Sequence, residues 1–283
     1  MSAALADWLD DVLFTYGTLI HAVGVNGLLA LSMYVVLQVG QLSLGQAAFM
    51  GIGAYTGALL TLKLGLPFPL VLVASAAVPA LVAFAIGRPT LRLTGVYLAI
   101  ATLGLGEIVR ILLVNWEYAG GALGLSGIPE KAGIGWIYGS LAVALAGFFA
   151  LARSRVGRAM EAMREDETAA GVMGVVLPRY RLAALVTSAA LAGYAGALSA
   201  HVSSFIGANE YSFEFAVTIL SFALLGGIGS PLGPVLGSTI LTLLPEVLRP
   251  LADFRLLING AIIVLAVLFL PRGILPWRMG RSG

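Results

Sequence analysis

The chain contains no cysteine. That excludes disulfides, cysteine-ligated zinc and thiol catalysis. Its two histidines, His21 and His201, both lie in apolar runs and have no metal-ligand spacing. Charge is scarce as well: Asp, Glu, Lys and Arg make up 11% of 283 residues, against roughly a quarter in an ordinary soluble domain. None of them falls between Asp11 and Lys63. So few charges cannot cover a soluble core of this size, so lipid must be the solvent over much of the surface. A net charge of +2 gives no reason to expect nucleic acid as a partner. No GxxxxGK[ST] phosphate loop occurs, so the usual ATP cradle is missing. No Ser–His–acid arrangement supports an enzyme. A cleavable leader pattern is also missing: the N-terminus carries Asp7, Asp10 and Asp11, and a long apolar run follows. The first helix is expected to act as its own targeting signal.

What is present is apolar. Hydrophobic residues reach 59% and the mean hydropathy is +0.99. Charge-free runs predict spans at 17–37, 48–62, 68–87, 94–114, 136–152, 182–203, 213–229, 233–249 and 256–271. A crossing needs ~20 residues, so the short run 48–62 is open to a half-helix reading near 40–62. The runs do not alternate with period two, so a barrel of strands is excluded. The fold class is all-α: a polytopic transmembrane helical bundle of about nine spans, one domain over 1–283.

Arginines set the expected orientation. Arg88 and Arg92 form one group, Arg153 to Arg181 a second, and Arg272, Arg278 and Arg281 a third. Placing all three in the cytoplasm fits the span count and leaves the acidic N-terminus outside. Lys63, Lys131, Arg249 and Arg255 are then minor exceptions on the outer side.

One long hydrophilic segment, "RSRVGRAMEAMREDETAAGVMGVVLPRYR", runs from Arg153 to Arg181 and holds six Arg and four acidic residues. Met160, Met163, Ala170 and Met173 recur near helical spacing, and Gly174 and Pro178 end the pattern. The segment reads as one or two short amphipathic helices. They either lie at the lipid surface or dock a cytoplasmic partner.

Polar residues inside the apolar runs are the other signal. "GQLSLGQAAFMGIGAYTGALL" covers Gly40 to Leu60. Gly53 and Gly57 form GxxxG and Gly51 adds a small residue, a pattern for close helix packing in lipid. Gly40 and Gly45 bracket a break before a short helix. Gln41, Ser43 and Gln46 either line a translocation route or satisfy freed backbone groups, and Gln38 lies just before them. Glu107 and Arg110 stand three apart, on one helix face. They are either an ion pair holding helices together or a polar rim at the outer mouth.

These stretches resemble the LivM-type permease subunit of ATP-binding-cassette importers for branched-chain amino acids. The resemblance rests on Gly40 to Leu60, "TGVYLAIATLGLGEIVRILLVN" (94–115), "RSRVGRAMEAMREDETAAGVMGV" and "GGIGSPLGPVLGS" (226–238). It implies a multi-pass bacterial inner-membrane protein paired with a LivH-type sister permease as a heterodimer. Two cytoplasmic ATP-binding subunits and an external, periplasmic solute-binding protein complete the complex. No cofactor is implied on this chain; ATP and Mg belong to the partner subunits. The family's coupling loop maps onto Arg158, Glu161, Arg164, Glu165, Asp166, Ala169, Ala170 and Gly174, with Thr168 just before the alanine pair as a departure from the family pattern. The competing class is a self-contained secondary transporter using Glu107 for ion coupling. A membrane enzyme or a scaffold is a third class, and the Arg153–Arg181 loop argues against both.

Overall fold

The computed structural model describes residues 2–90, 93, 95–247 and 274, with side chains from Tyr16 onward. Helix α1 spans Ser2–Gln38, α2 Gln46–Leu64, α3 Phe68–Thr90, α4 Val96–Asn115 and α5 Ile134–Arg153. Two short helices follow, α6 at Arg155–Glu165 and α7 at Glu167–Val172. Then come α8 at Leu177–Ser203, α9 at Phe213–Gly226 and α10 at Leu232–Val247. Six helices are long and apolar enough to cross a membrane: α1 from Tyr16, then α2, α3, α4, α5 and α8. Helices α9 and α10 are shorter apolar segments. The chain is a polytopic helical membrane bundle. Eight of the nine expected runs coincide with helices; the ninth, 256–271, lies outside the described residues.

Two boundaries differ from expectation. Helix α1 begins well before residue 17. Helix α2 is a continuous helix of 19 residues, about 28 Å long at ~1.5 Å per residue, and so is not a half-helix. Where water is excluded, every backbone group must bond within its own segment. The glycines of "QAAFMGIGAYTGALL" therefore stay helical despite their poor propensity.

The bundle is organised around α8, which packs on α1, α2 and α3. Its buried residues are mostly Ala, Gly and Ser, among them Ser188, Ala189, Ala192, Gly193, Gly196 and Ala197. Small side chains let backbones touch, and in lipid this dispersion contact replaces the hydrophobic drive available in water. A Cβ on Gly53 of α2 would overlap the backbone of Gly193, and one on Gly196 would overlap Met50 O. On its other side Gly193 meets α3 at Ser75 O and the ring of Pro79. Pro79 has no N–H to give the Ser75 carbonyl, four residues earlier. The closest approach of α8 is therefore made where α3 is already interrupted. Helices α9 and α10 form a second tight pair, in which a Cβ on Gly226 or Gly237 would overlap the facing backbone.

One end is closed by the α4–α5 connection. Its strand Leu125–Ser126 pairs antiparallel with Phe205–Ile206, after α8. A 3-10 turn at Ala208–Tyr211 leads into α9. On the outside of the bundle, Tyr97, Ile100 and Leu112 of α4 and Val143 of α5 are exposed apolar side chains, as suits contact with lipid or another subunit.

Candidate functional site

Helix α1 stops in a glycine-dependent turn. Gly40 has φ +71°. Its N–H bonds Leu37 O at 3.1 Å, and the Gln41 N–H bonds Val36 O at 3.2 Å, the paired pattern of a Schellman cap. A side chain at Gly40 would pay roughly 1–2 kcal/mol for the left-handed backbone. Past the cap the chain is irregular to Gly45, and two of its donors go to side chains. The Leu44 N–H bonds Thr102 Oγ1 of α4 at 2.9 Å, and the Gly45 N–H bonds Ser43 Oγ at 3.3 Å. Gln46 Nε2 donates to Ser188 Oγ of α8 at 3.3 Å. Both amide atoms of Gln41, and Oε1 of Gln46, are buried without a partner among the described residues. A buried polar group left unpaired costs ~1–3 kcal/mol, so these amides call for water or solute. Of the glycines on α2, Gly53 faces Gly193. Gly57 faces Ser75 and Ala197, and Gly51 faces the Tyr211 ring.

The hydrophilic segment forms two helices separated at Asp166. Ser154 caps α6 by accepting from the Gly157 N–H at 3.1 Å, and Asp166 caps α7 by accepting from the Ala169 N–H at 2.9 Å. Met160, Met163 and Ala170 are buried, but Met173 is 83% exposed. The expected stripe fails there because the break at Asp166 re-aims α7 and Met173 lies past its end. Ala170 turns inward against its own chain. Outward-facing instead are Glu165, Asp166, Ala169, Gly174 and, most of all, Val172, which is 85% exposed. Glu167 forms an ion pair with Arg181 at the start of α8. Arg158 is exposed and donates to Arg153 O at 3.2 Å.

These two regions meet. Gln38, in the last turn of α1, donates from Nε2 to Ile228 O in the α9–α10 turn at 2.5 Å. Arg164 of α6 donates from Nη1 to both Gln38 Oε1 and Ile228 O, each at 3.2 Å. One guanidinium thus joins α6 to the ends of three apolar helices. Glu161 and Arg164 line the same small crevice as Gln38. Sequence reading assigned Gln38 and Arg164 to different roles. It singled out the stretch 226–238 but not Ile228 within it, whose contribution is a backbone carbonyl, and it gave no weight to Thr102 or Ser188.

Glu107 and Arg110 lie on α4 away from this joint. Arg110 Nε donates to both Glu107 oxygens at 3.1 Å, and Nη1 donates to Asn209 Oδ1 at 2.8 Å. The ion pair is internal to α4, and its link to another element runs to the Ala208–Tyr211 turn rather than to a second helix. Glu107 is engaged by a guanidinium and is not a lone intramembrane carboxylate. His201 is also satisfied. Nδ1 faces Ala197 O at 2.8 Å and Nε2 faces Thr61 Oγ1 at 2.9 Å. A carbonyl only accepts, so Nδ1 carries the proton and the Thr61 hydroxyl donates to Nε2.

A bundle of long apolar helices, with an amphipathic pair tied to helix ends at one face, defines a polytopic helical membrane protein. Residues 16–269 match the family of branched-chain amino acid transport system permease components, and the chain belongs to that family. It is 35% identical to the high-affinity branched-chain amino acid transport system permease protein LivM of Salmonella typhimurium. That match covers 95% of this chain and 70% of the relative. LivM of Escherichia coli matches equally, at 35% identity over 95% of this chain and 70% of the relative. LivH of Escherichia coli is 32% identical over 50% of this chain and 46% of its own length. The autoinducer 2 import permease LsrC of Klebsiella pneumoniae is 32% identical over 56% of this chain and 48% of its own. No solved structure matches.

Proposed function

We propose that this chain is the LivM-type membrane subunit of an ATP-binding-cassette importer carrying branched-chain or other hydrophobic amino acids across the bacterial inner membrane. Its partners are a LivH-type sister permease, two cytoplasmic ATP-binding subunits that hold ATP and Mg, and a periplasmic solute-binding protein. The N-terminus lies outside and the C-terminus in the cytoplasm.

The observation that carries this reading is the joint of Arg164, Gln38 and Ile228 O. A motor gripping α6 and α7 moves, through one side chain, the end of α1 and the α9–α10 turn together. Val172 and Met173 give that motor an apolar handle outside the spans, flanked by Glu165 and Asp166. The Gln41 amide and Gln46 Oε1, unpartnered among the described residues, suit a route wetted part of the time. Selectivity then rests with the external protein.

The test is co-purification of the ATP-binding subunits with the wild type, Met173→Glu and Lys131→Glu. A new carboxylate at a desolvated contact costs several kcal/mol when unpaired, so Met173→Glu loses most of its ATPase. Lys131→Glu, in the α4–α5 connection, keeps it. Equal recovery with all three removes α7 as the docking element.

A further inference from the structure

A cavity of about 420 Å³ lies between α1, α2, α8, α9 and the Ala208–Tyr211 turn, within the ~300–1,000 Å³ typical of small-molecule sites. It sits towards the N-terminal part of α1 and the C-terminal end of α8. That places it at the opposite end of the bundle from α6. One part of its wall is apolar, with Val25, Val202 and Phe215. The other part is polar. Glu210, an exposed residue at the cavity's rim, brings a carboxylate, and His21 brings an Nε2 that is buried with no hydrogen-bond partner among the described residues. No arginine or lysine pairs with Glu210 among the described residues. The turn carrying Glu210 is held by the Arg110–Asn209 bond.

We propose that this cavity is a station for the transported solute, holding a zwitterionic aliphatic amino acid. Its ammonium sits on Glu210, its carboxylate accepts from His21 Nε2–H once the ring turns out of its enclosed position, and its alkyl chain lies among Val25, Val202 and Phe215. The inference rests on the transport reading above. The wall supplies one negative group, one unfilled imidazole nitrogen and an apolar face, which are the complements of such a solute's three parts. Partial desolvation raises the Glu210 carboxyl above its ordinary pKa, and the Gly207 N–H pulls the other way. An arriving ammonium provides the opposite charge that the ionised form lacks. Arg110 is then a positioning residue that sets the turn without touching solute.

The cysteine-free chain allows a direct test on the full reconstituted complex. Ser203→Cys places a thiol in the cavity wall, and its alkylation rate is measured with and without L-leucine. Leucine should slow alkylation. 4-Methylpentanoate, which lacks the ammonium, should not. Adding Glu210→Gln should weaken protection roughly tenfold or more, as expected for loss of a hydrogen bond to a charged group. Glu210→Asp should restore part of it. An unchanged alkylation rate without leucine shows that each variant keeps the cavity. If the wild-type complex imports leucine but shows no protection, or protection indifferent to Glu210→Gln, the station is disproved and the transport reading stands. If the wild-type complex imports no aliphatic amino acid, the solute reading fails and this inference fails with it.

Discussion

At the scale of single residues, the bundle depends on atoms that are absent. Gly53 and Gly193 touch through backbone, so even a methyl group at Gly53 must push α2 away from α8. Gly53→Ala should lower stability by about 1–3 kcal/mol, the usual cost of overpacking. Gly104→Ala on α4, where a Cβ meets nothing within 4 Å, should leave stability unchanged. Thermal unfolding in detergent, followed by size-exclusion recovery, separates the two; equal behaviour would show that the α2–α8 contact is looser than described. A second residue-level test concerns His201. Thr61→Val removes the hydroxyl that donates to Nε2 and leaves a buried acceptor unpaired. The expected loss is ~1–3 kcal/mol, measured the same way, and no loss would place water at that nitrogen.

At the scale of elements, the apolar runs were legible in the sequence because lipid demands uninterrupted hydrophobicity, and eight of them coincide with helices. The extent of α2 was not: the run 48–62 looked too short to cross, but the helix takes in Gln46 and runs past Lys63 to Leu64, because lipid forbids unbonded backbone. The break at Asp166 was half legible: the segment read as one or two short helices, yet a single amphipathic stripe drawn through it misplaced Met173. The joint between Gln38 and Arg164 was out of reach. Those residues are separated by 126 positions, and their common partner is a carbonyl. That joint makes its own prediction. Arg164→Ala should leave ATP hydrolysis by the assembled complex near wild type while solute uptake falls roughly tenfold, the effect of losing charge-assisted hydrogen bonds. The readout is uptake per ATP hydrolysed in proteoliposomes. A ratio equal to wild type would show that force passes from α6 to the spans by another route.

At the scale of the whole molecule, orientation and energy source decide what the bundle does. On the proposed orientation, drawn from arginine placement, α6 and α7 lie inside and the α4–α5 connection outside. Thr168→Cys should therefore be protected from an impermeant thiol reagent in intact cells, and Glu130→Cys should react. The reverse pattern would invert the topology and separate α7 from any cytoplasmic motor. The energy source decides the function itself. Glu107 is tied to Arg110, and the family match covers nearly the whole chain, so transport should draw on ATP and not on an ion gradient. The deciding measurement is leucine uptake by proteoliposomes that contain the full complex and trapped ATP, with and without ionophores that collapse all ion gradients. Uptake that persists with ionophore, and stops when the ATP-binding subunits carry a hydrolysis-dead substitution, is the expected result. Uptake that stops with ionophore and ignores the hydrolysis-dead substitution would contradict the ATP-driven permease.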